Sequence, residues 1–369
     1  MPIVAFFGEI FLKGKNRMDF INKLENNIKN ALGNINVKKY HDRIVIDSND
    51  EKIAEICSKI FGVASVYLAE IIERNLDLAA EIAKKEIKNK SYCIRVDRID
   101  KKFPLTSKEI ESYIGEKIGG KVDLENPEII IRFKVYDDSI YFLKKKYEGI
   151  GGLPVNTSGK VLSLLSGGID SAVSSYLIMK RGCIVDFLHF YAYSSVKEVE
   201  QSKIFELIKK IVETQKLKVK LYLIPYYIFH TKALEANIKE KIELIIFRRF
   251  MIRIANELCK KYKYKAIVTG DNLGQVASQT LENLALVDKI SEFPIFRPLL
   301  TFDKKEIIDL AKKIGTYEMS IKDYKDCCSI ISLNPATKPK FEDVLEAEKK
   351  MDIEKVVEDS IKEMSTYEL

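Results

Sequence analysis

The stretch that decides the fold runs from Val161 to Gly182 and reads VLSLLSGGIDSAVSSYLIMKRG. Apolar residues continue to Leu165, Ser166-Gly167-Gly168 breaks the pattern, and a helix-like run follows Asp170. An apolar run bounded by a glycine turn reads as a buried strand. In an open parallel sheet, ligands bind beyond the carboxyl ends of the strands. A Ser-Gly-Gly turn there lets backbone N–H groups approach an anion closely, and a helix beginning near Ser171 adds the positive end of its dipole. The site therefore suits phosphate or pyrophosphate. Two commoner phosphate motifs do not match. A Walker loop needs G-x-x-x-x-G-K-[ST], whereas Gly152 to Lys160 is misspaced and Val161 stands where the hydroxyl belongs. A dinucleotide fingerprint follows a strand, whereas GIGGLP (149–154) ends in Pro and precedes one.

After the turn, strands ("CIVDFLHFYAY", "VKLYLIPY", "KAIVTG") alternate with helices, including a long one over Ile238–Lys261. That order predicts a doubly wound parallel sheet covered on both faces. Before the glycine-rich linker EGIGGLPVNTSGK (148–160), the pattern differs. Residues 1–70 read strand, helix, two short strands, helix, strand, which is the ferredoxin-like order. Residues 71–148 read as a second α+β domain, with helices near Leu76–Asn89 and Ser107–Ile118 and paired strands in EIIIRFKVY and SIYFLKK. The catalytic part is then 149–369, ending in a charged helix, FEDVLEAEKKMDIEKVVEDSIKEM.

The 369 residues are 46% hydrophobic and 31% charged, ordinary for a soluble protein. No apolar run is long enough to span a bilayer, and the first residues lack a signal-peptide pattern. The six cysteines are irregularly spaced with no C-x-x-C, so neither a disulfide framework nor a zinc ribbon is predicted, and a reducing cytoplasm is expected. The net charge of +7 is modest. It argues for nucleic acid only where cations cluster.

Ser-Gly-Gly-x-Asp-Ser after a buried strand resembles the PP-loop of ATP pyrophosphatases. Further segments resemble the tRNA 4-thiouridine synthetase family, the ThiI sulfurtransferases. They are GEIFLKGKNRMDF (8–20), RVDRIDKKFPLTSKEI (95–110) with KVDLENPE (121–128), FRRFMIRIANEL (247–258), VTGDNLGQVASQTLENL (268–284), FRPLLTFDKKEIIDLAKKIGTYEMSI (296–321) and DYKDCCSIISLNPATKP (323–339). The resemblance implies a ferredoxin-like domain, a THUMP RNA-binding domain and a PP-loop domain, with ATP and Mg²⁺ as cofactors. It places Ser166, Gly167, Gly168, Asp170 and Ser171 in the pyrophosphate loop. It places Leu164, Leu165, His189 and Phe190 around the adenosine, and Arg248, Gly270, Gln279 and Lys304 as further ATP contacts. The residues alone leave other readings open: His189 satisfied inside the sheet, and Arg248-Arg249 on an exposed helix face. Two departures stand out. Asp271-Asn272 replaces the family's usual Glu-Ser, and Asn156 stands where glycine is common.

The Cys327-Cys328 pair is the second chemical feature. Sulfur transfer needs a thiolate, and nearby cations favour one; Lys325, Lys338 and Lys340 flank the pair, with Asp326 opposing them. The resemblance makes Cys328 the sulfur-handling residue and Cys327 its vicinal spare. Two buried cysteines acting as small hydrophobes is the structural alternative. Cys57, Cys183 and Cys259 fall in apolar patterns and read as core. An iron–sulfur cluster on Cys259, Cys327 and Cys328 is disfavoured by the adjacent ligands and the missing C-x-x-C. A rhodanese domain is not expected after the last helix, so sulfur is expected from outside: a cysteine desulfurase, a separate rhodanese, or sulfide.

Lys13 and Arg17 in the first loop, and Arg95, Arg98, Lys101 and Lys102 in the THUMP-like stretch, are the candidate tRNA contacts. The reading that results is an ATP-dependent tRNA sulfurtransferase. It would adenylate the uridine at tRNA position 8 and convert it to 4-thiouridine, with no membrane partner and a homodimer allowed for. A PP-loop ligase or amidotransferase acting on a small molecule, and a non-catalytic RNA-binding protein, are the alternatives.

Overall fold

The computed structural model describes residues 1–331 and 335–369. It divides into two compact units, Met1–Leu153 and Pro154–Leu369.

The first unit is a seven-stranded sheet with four helices. In chain order it contains β1 (Ile3–Phe7), α1 (Arg17–Leu32), β2 (Val37–Lys39), β3 (Arg43–Ile46), α2 (Glu51–Ser58) and β4 (Val63–Ile72). Then come α3 (Leu76–Ile87), β5 (Tyr92–Arg98), α4 (Ser107–Ile118), β6 (Ile129–Val135) and β7 (Ile140–Glu148). The strand order is β2-β3-β1-β4-β7-β6-β5. The first four strands make the ferredoxin-like arrangement, and antiparallel pairing of β4 with β7 extends the same sheet into the second half. Strand alternation sorts the faces. Ile3, Ala5 and Phe7 pack beneath α1 and α2, and Tyr92, Ile94 and Val96 beneath α3 and α4. Val4, Ala69, Tyr141 and Leu143 lie together in a separate small cluster. Thr106 and Glu109 form a reciprocal capping box that starts α4 where the sequence predicts it.

The second unit opens with β8 (Lys160–Leu164), α5 (Ile169–Lys180), β9 (Ile184–Tyr191), α6 (Val196–Glu200), α7 (Lys203–Val212) and β10 (Lys220–Pro225). It continues with α8 (Tyr227–Glu235), α9 (Glu240–Tyr262), β11 (Ile267–Val268), α10 (Leu281–Asp288), β12 (Ile295–Phe296) and α11 (Lys304–Ile314). It closes with α12 (Tyr317–Ser320), α13 (Cys327–Ile331), α14 (Phe341–Lys350), α15 (Ile353–Lys362) and β13 (Ser365–Glu368). The sheet order is β12-β11-β8-β9-β10-β13. Strands β8 to β12 pair in parallel, as the alternating pattern requires. One face is covered by α8, α9, α14 and α15. The other carries α5 against α11, through Val173, Leu299, Ile307 and Ala311.

The carboxyl end departs from the expected single helix. The single charged helix is two, broken at Asp352, whose backbone is left-handed (φ +50°). Beyond the second of these helices, Ser365–Glu368 adds an antiparallel edge strand to β10. Four half-exposed polar residues carry too little apolar pattern to be read as a strand. No helix among the described residues is long and apolar enough to cross a membrane.

Candidate active site

β8 ends at Leu164, and α5 begins at Ile169 with Gly168 as its N-cap. Between them Gly167 adopts φ +87°, a left-handed conformation that favours glycine, and a Cβ there would press on the tip of the Ile204 side chain, 2.7 Å from Cδ1. Ser171 Oγ donates to Gly168 O at 3.1 Å and accepts from the Ser166 amide at 3.3 Å. The Gly168 amide donates to Ser166 Oγ at 3.2 Å. The helix has no side-chain cap, so the amides of its first turn lack intrahelical acceptors and are available to an anion. Gly270, just past β11, lets that strand end meet the helix start: a Cβ there would sit 2.7 Å from Ser171 N.

The turn forms one wall of a cavity of about 240 Å³. Leu164, Leu165, Phe190, Phe247, Met251 and Ile252 supply apolar lining, and Arg248, Asp271, Ser278, Gln279, Asp326, Cys327 and Cys328 close the remaining sides. An apolar slot beside an anion turn fits a nucleoside phosphate. Asp170, in the first turn of α5, accepts from Lys304 Nζ at 2.7 Å and Gln275 Nε2 at 2.9 Å. Gln275 Oε1 beside it is buried with no protein hydrogen-bond partner. An acceptor and a carboxylate side by side suit a hydrated Mg²⁺ that arrives on phosphates.

Arg248, predicted to meet phosphate, has its guanidinium turned into the protein. It donates to Ser278 O and, at 2.6 Å, to Asp271 Oδ1. Asp271 also accepts from Thr269 Oγ1 at 2.9 Å and Arg297 Nε at 3.3 Å. Burial would push this carboxyl up, but the two arginines outweigh it and hold it below the ordinary carboxylate range. Both Arg248 and Arg249 are buried, so neither lies on an exposed helix face; Arg249 pairs with Glu348 at 2.6 Å.

His189 does not line the cavity. Its Nδ1 lies 2.6 Å from Leu165 O and its Nε2 2.6 Å from the Tyr324 hydroxyl. A carbonyl can only accept, so Nδ1 carries the proton and Nε2 accepts from Tyr324. Burial pushes the imidazole down to about 4, against the pull of the Leu165 carbonyl, and keeps it neutral. The strand end thus contributes Leu188 and Phe190 to the cavity, while the histidine braces the wall.

The cysteines sit on α13 at the cavity, not on an open loop. Ser332, Leu333 and Asn334 of the same motif lie outside the described residues. Cys327 Sγ donates to Phe190 O at 3.4 Å. The expected help from flanking lysines is absent. Lys325 Nζ stands 5.7 Å from the Tyr193 ring, and Lys338 pairs with Glu282 at 2.9 Å. Burial, reinforced by Asp326, pushes Cys328 up to about 12, with Arg248 pulling the other way. Burial and the neighbouring Cys328 raise Cys327 as well. Cys57, Cys183 and Cys259 are buried, as their apolar settings predict.

In the first unit, Arg98 is not a free cation: its Nη1 donates to Phe103 O at 3.0 Å and Leu105 O at 3.1 Å, shaping the loop before α4. Arg17 likewise donates to Phe11 O at 2.7 Å and to Lys13 O at 3.3 Å. Lys13 Nζ stands 4.8 Å from the Phe20 ring, and Lys101 Nζ donates to Arg98 O at 3.1 Å. Arg95 and Lys102 are exposed. Arg95 shares a groove of about 430 Å³ with Phe6, Tyr67, Arg132 and Lys134. The last two were legible as alternate positions of IIIRFKVY, yet only the sheet brings them beside Arg95.

A family model described as thiamine biosynthesis protein (ThiI) matches residues 156–353. This chain belongs to the ThiI family. The ThiI ferredoxin-like model matches residues 3–67 and the THUMP model 73–143. A probable tRNA sulfurtransferase of Alkaliphilus metalliredigens is 39% identical, over 98% of this chain and 96% of its own. Another, from Geobacillus kaustophilus, is 38% identical over 99% of this chain and 94% of its own. A crystal structure of a 4-thiouridine synthetase–RNA complex with bound ATP superposes with a TM-score of 0.87 at 30% identity. That match covers 100% of this chain and 99% of the solved one.

The departures from the ThiI pattern now have structural content. Asp271 is held by arginines and Thr269 and is not open to a metal. Asn272 Nδ2 donates to Leu299 O at 3.0 Å and to Phe302 O, fixing the turn that leads into Lys304. Asn156 adopts φ +69°, a left-handed conformation that glycine and asparagine take most readily.

Proposed function

We propose that the protein is an ATP-dependent tRNA sulfurtransferase that converts the uridine at tRNA position 8 to 4-thiouridine. The observation that carries this reading is the joint lining of one cavity by Ser166, Asp170 and Ser171, at the phosphate turn and the helix start after it, and by Cys327-Cys328. Its parts are a ferredoxin-like domain (1–70), a THUMP domain (71–148) and a PP-loop domain (149–369). ATP, when bound, would supply the adenylyl group that turns uridine O4 into a leaving group and would release pyrophosphate, with Mg²⁺ carried on its phosphates.

The chain's own residues then have distinct tasks. Ser166, Gly167, Gly168 and Ser171 form the pyrophosphate cradle, with Asp170 and Gln275 beside the metal. Lys304 exchanges Asp170 for phosphate charge, which costs little because the pair is partly exposed. Leu164, Leu165 and Phe190 enclose the adenosine, and Gly270, Gln279 and Arg248 set the opposite wall. Cys328 brings sulfur to the activated carbon, and Arg248 favours its thiolate. Arg95, Lys101 and Lys102, with Lys13, hold tRNA through phosphates, and a cytoplasmic setting keeps the thiols reduced. Sulfur comes from an external donor.

The test is thiolation of an unmodified tRNA transcript with ATP, comparing sulfide with a cysteine desulfurase plus cysteine. Formation of 4-thiouridine with stoichiometric AMP supports the reading. ATP–pyrophosphate exchange indifferent to tRNA would point to a small-molecule ligase instead.

A further inference from the structure

Lys203, the first residue of α7, is buried, with 9% of its surface exposed. Its ammonium donates to Ser320 O at 2.6 Å and to Lys322 O at 2.7 Å. It also stands 5.7 Å from the Tyr324 ring. Its stem passes under the phosphate turn, where a Cβ on Gly167 would meet Lys203 Cε at 3.3 Å. Tyr324 in turn holds His189 Nε2 at 2.6 Å, and His189 Nδ1 holds Leu165 O at 2.6 Å. These contacts close a circuit. It leaves the turn at Gly167, crosses Lys203, the 320–322 bend, Tyr324 and His189, and returns at Leu165, flanking Ser166 on both sides.

Cys327 and Cys328 lie three and four residues after Tyr324 in the chain, so the circuit anchors the segment that carries the thiols close to the pyrophosphate cradle. A buried ammonium costs desolvation and must be recovered through its donors. A surface lysine or a leucine would pack α7 without that cost. What Lys203 adds is a fixed link between the segment that would hold ATP and the segment that would carry sulfur.

We infer that Lys203 is a positioning residue that couples sulfur transfer to adenylation. This rests on the sulfurtransferase reading above. In the productive step the terminal sulfur of a Cys328 persulfide bonds to C4 of the adenylated uridine, the C4–O bond breaks, and AMP leaves with the bonding electron pair. A dithiol reductant then cleaves the S–S bond, releasing 4-thiouridine and the Cys328 thiol as the dithiol is oxidised to a disulfide. If the thiol segment drifts, water takes the place of sulfur, and the products are unmodified uridine and AMP. Loss of the link should therefore appear as AMP made without 4-thiouridine, rather than as loss of ATP use.

The experiment measures AMP and 4-thiouridine together, using tRNA transcript, ATP, and a cysteine desulfurase with cysteine and a dithiol reductant. Lys203→Met should raise the ratio of AMP to 4-thiouridine severalfold over the wild type, and Lys203→Arg, which keeps donors to both carbonyls, should restore it. Tyr324→Phe breaks the same circuit at another point and should raise the ratio too, so it decides the matter if Lys203→Met does not fold. An unchanged ratio in either folded variant, or a parallel fall of both products, overturns the inference. Failure of the wild type to make 4-thiouridine would instead overturn the functional reading.

Discussion

Lys304 Nζ lies 2.7 Å from Asp170 Oδ1, an ion pair between residues 134 positions apart. It joins the first turn of α11 to the first turn of α5, and Asn272 steadies the bend before Lys304. The lysine side chain is 46% exposed and the aspartate 21%, so water screens the pair and a phosphate can displace it. Asp170→Ala should abolish pyrophosphate release while tRNA binding survives. Pyrophosphate release assays and filter binding read the two effects. Turnover of ATP at the wild-type rate would remove Asp170 from the site.

Affinity for tRNA should fall steeply with salt, because the contacts expected are cation–phosphate pairs. With ~6–10 such contacts the loss is about 10³–10⁵ between ~50 and ~200 mM salt. Arg95→Glu with Lys101→Glu should flatten the slope in a binding titration. An unchanged slope would move the RNA surface elsewhere in the molecule. Arg98 is left out of this pair because it shapes its own loop.

Cys328→Ser should leave ATP consumption and tRNA binding nearly intact, yet stop 4-thiouridine formation when a protein donor supplies the sulfur. Cys327→Ser should be milder, since that thiol is engaged by the Phe190 carbonyl. Because burial pushes Cys328 up to about 12, its thiolate fraction should grow about tenfold per pH unit through the neutral and mildly alkaline range. Alkylation of Cys328 by iodoacetamide should climb accordingly, with no plateau below pH 9. A plateau near neutrality would mean that a cation reaches the thiol.

His189 should make stability pH-dependent on the acid side. Its folded value of about 4 lies below the ordinary 6.5, so the unfolded chain binds the proton first. Its contribution is therefore intact above the unfolded value and is lost as pH falls from about 6.5 towards 4. The full effect is of order 3 kcal/mol, at about 1.4 per unit. The difference in denaturant midpoint between wild type and His189→Gln should shrink over that window. A constant difference would mean that the imidazole is charged in the folded state.

Local patterns carried most of the architecture. Strand–turn–helix at Val161–Lys180, the long α9 and the capping box of α4 are all set by residues close in sequence, so they were legible there. The glycine at 167 was equally plain, since only a tight turn interrupts an apolar strand with Ser-Gly-Gly. What the sequence could not disclose was where each polar head ends up. Arg248 and Arg98 read as free cations, yet both are drawn inward, because buried carbonyls and the Asp271 carboxylate need donors that come from distant parts of the chain. His189 read as a ligand contact and became a brace for the same reason. The two cysteines were evident as a chemical pair, but their protonation was decided by burial at the end of β9 rather than by neighbouring lysines in the chain. Sequence spacing determines backbone form, while desolvation and hydrogen-bond demand act across space and are settled only when the chain has folded.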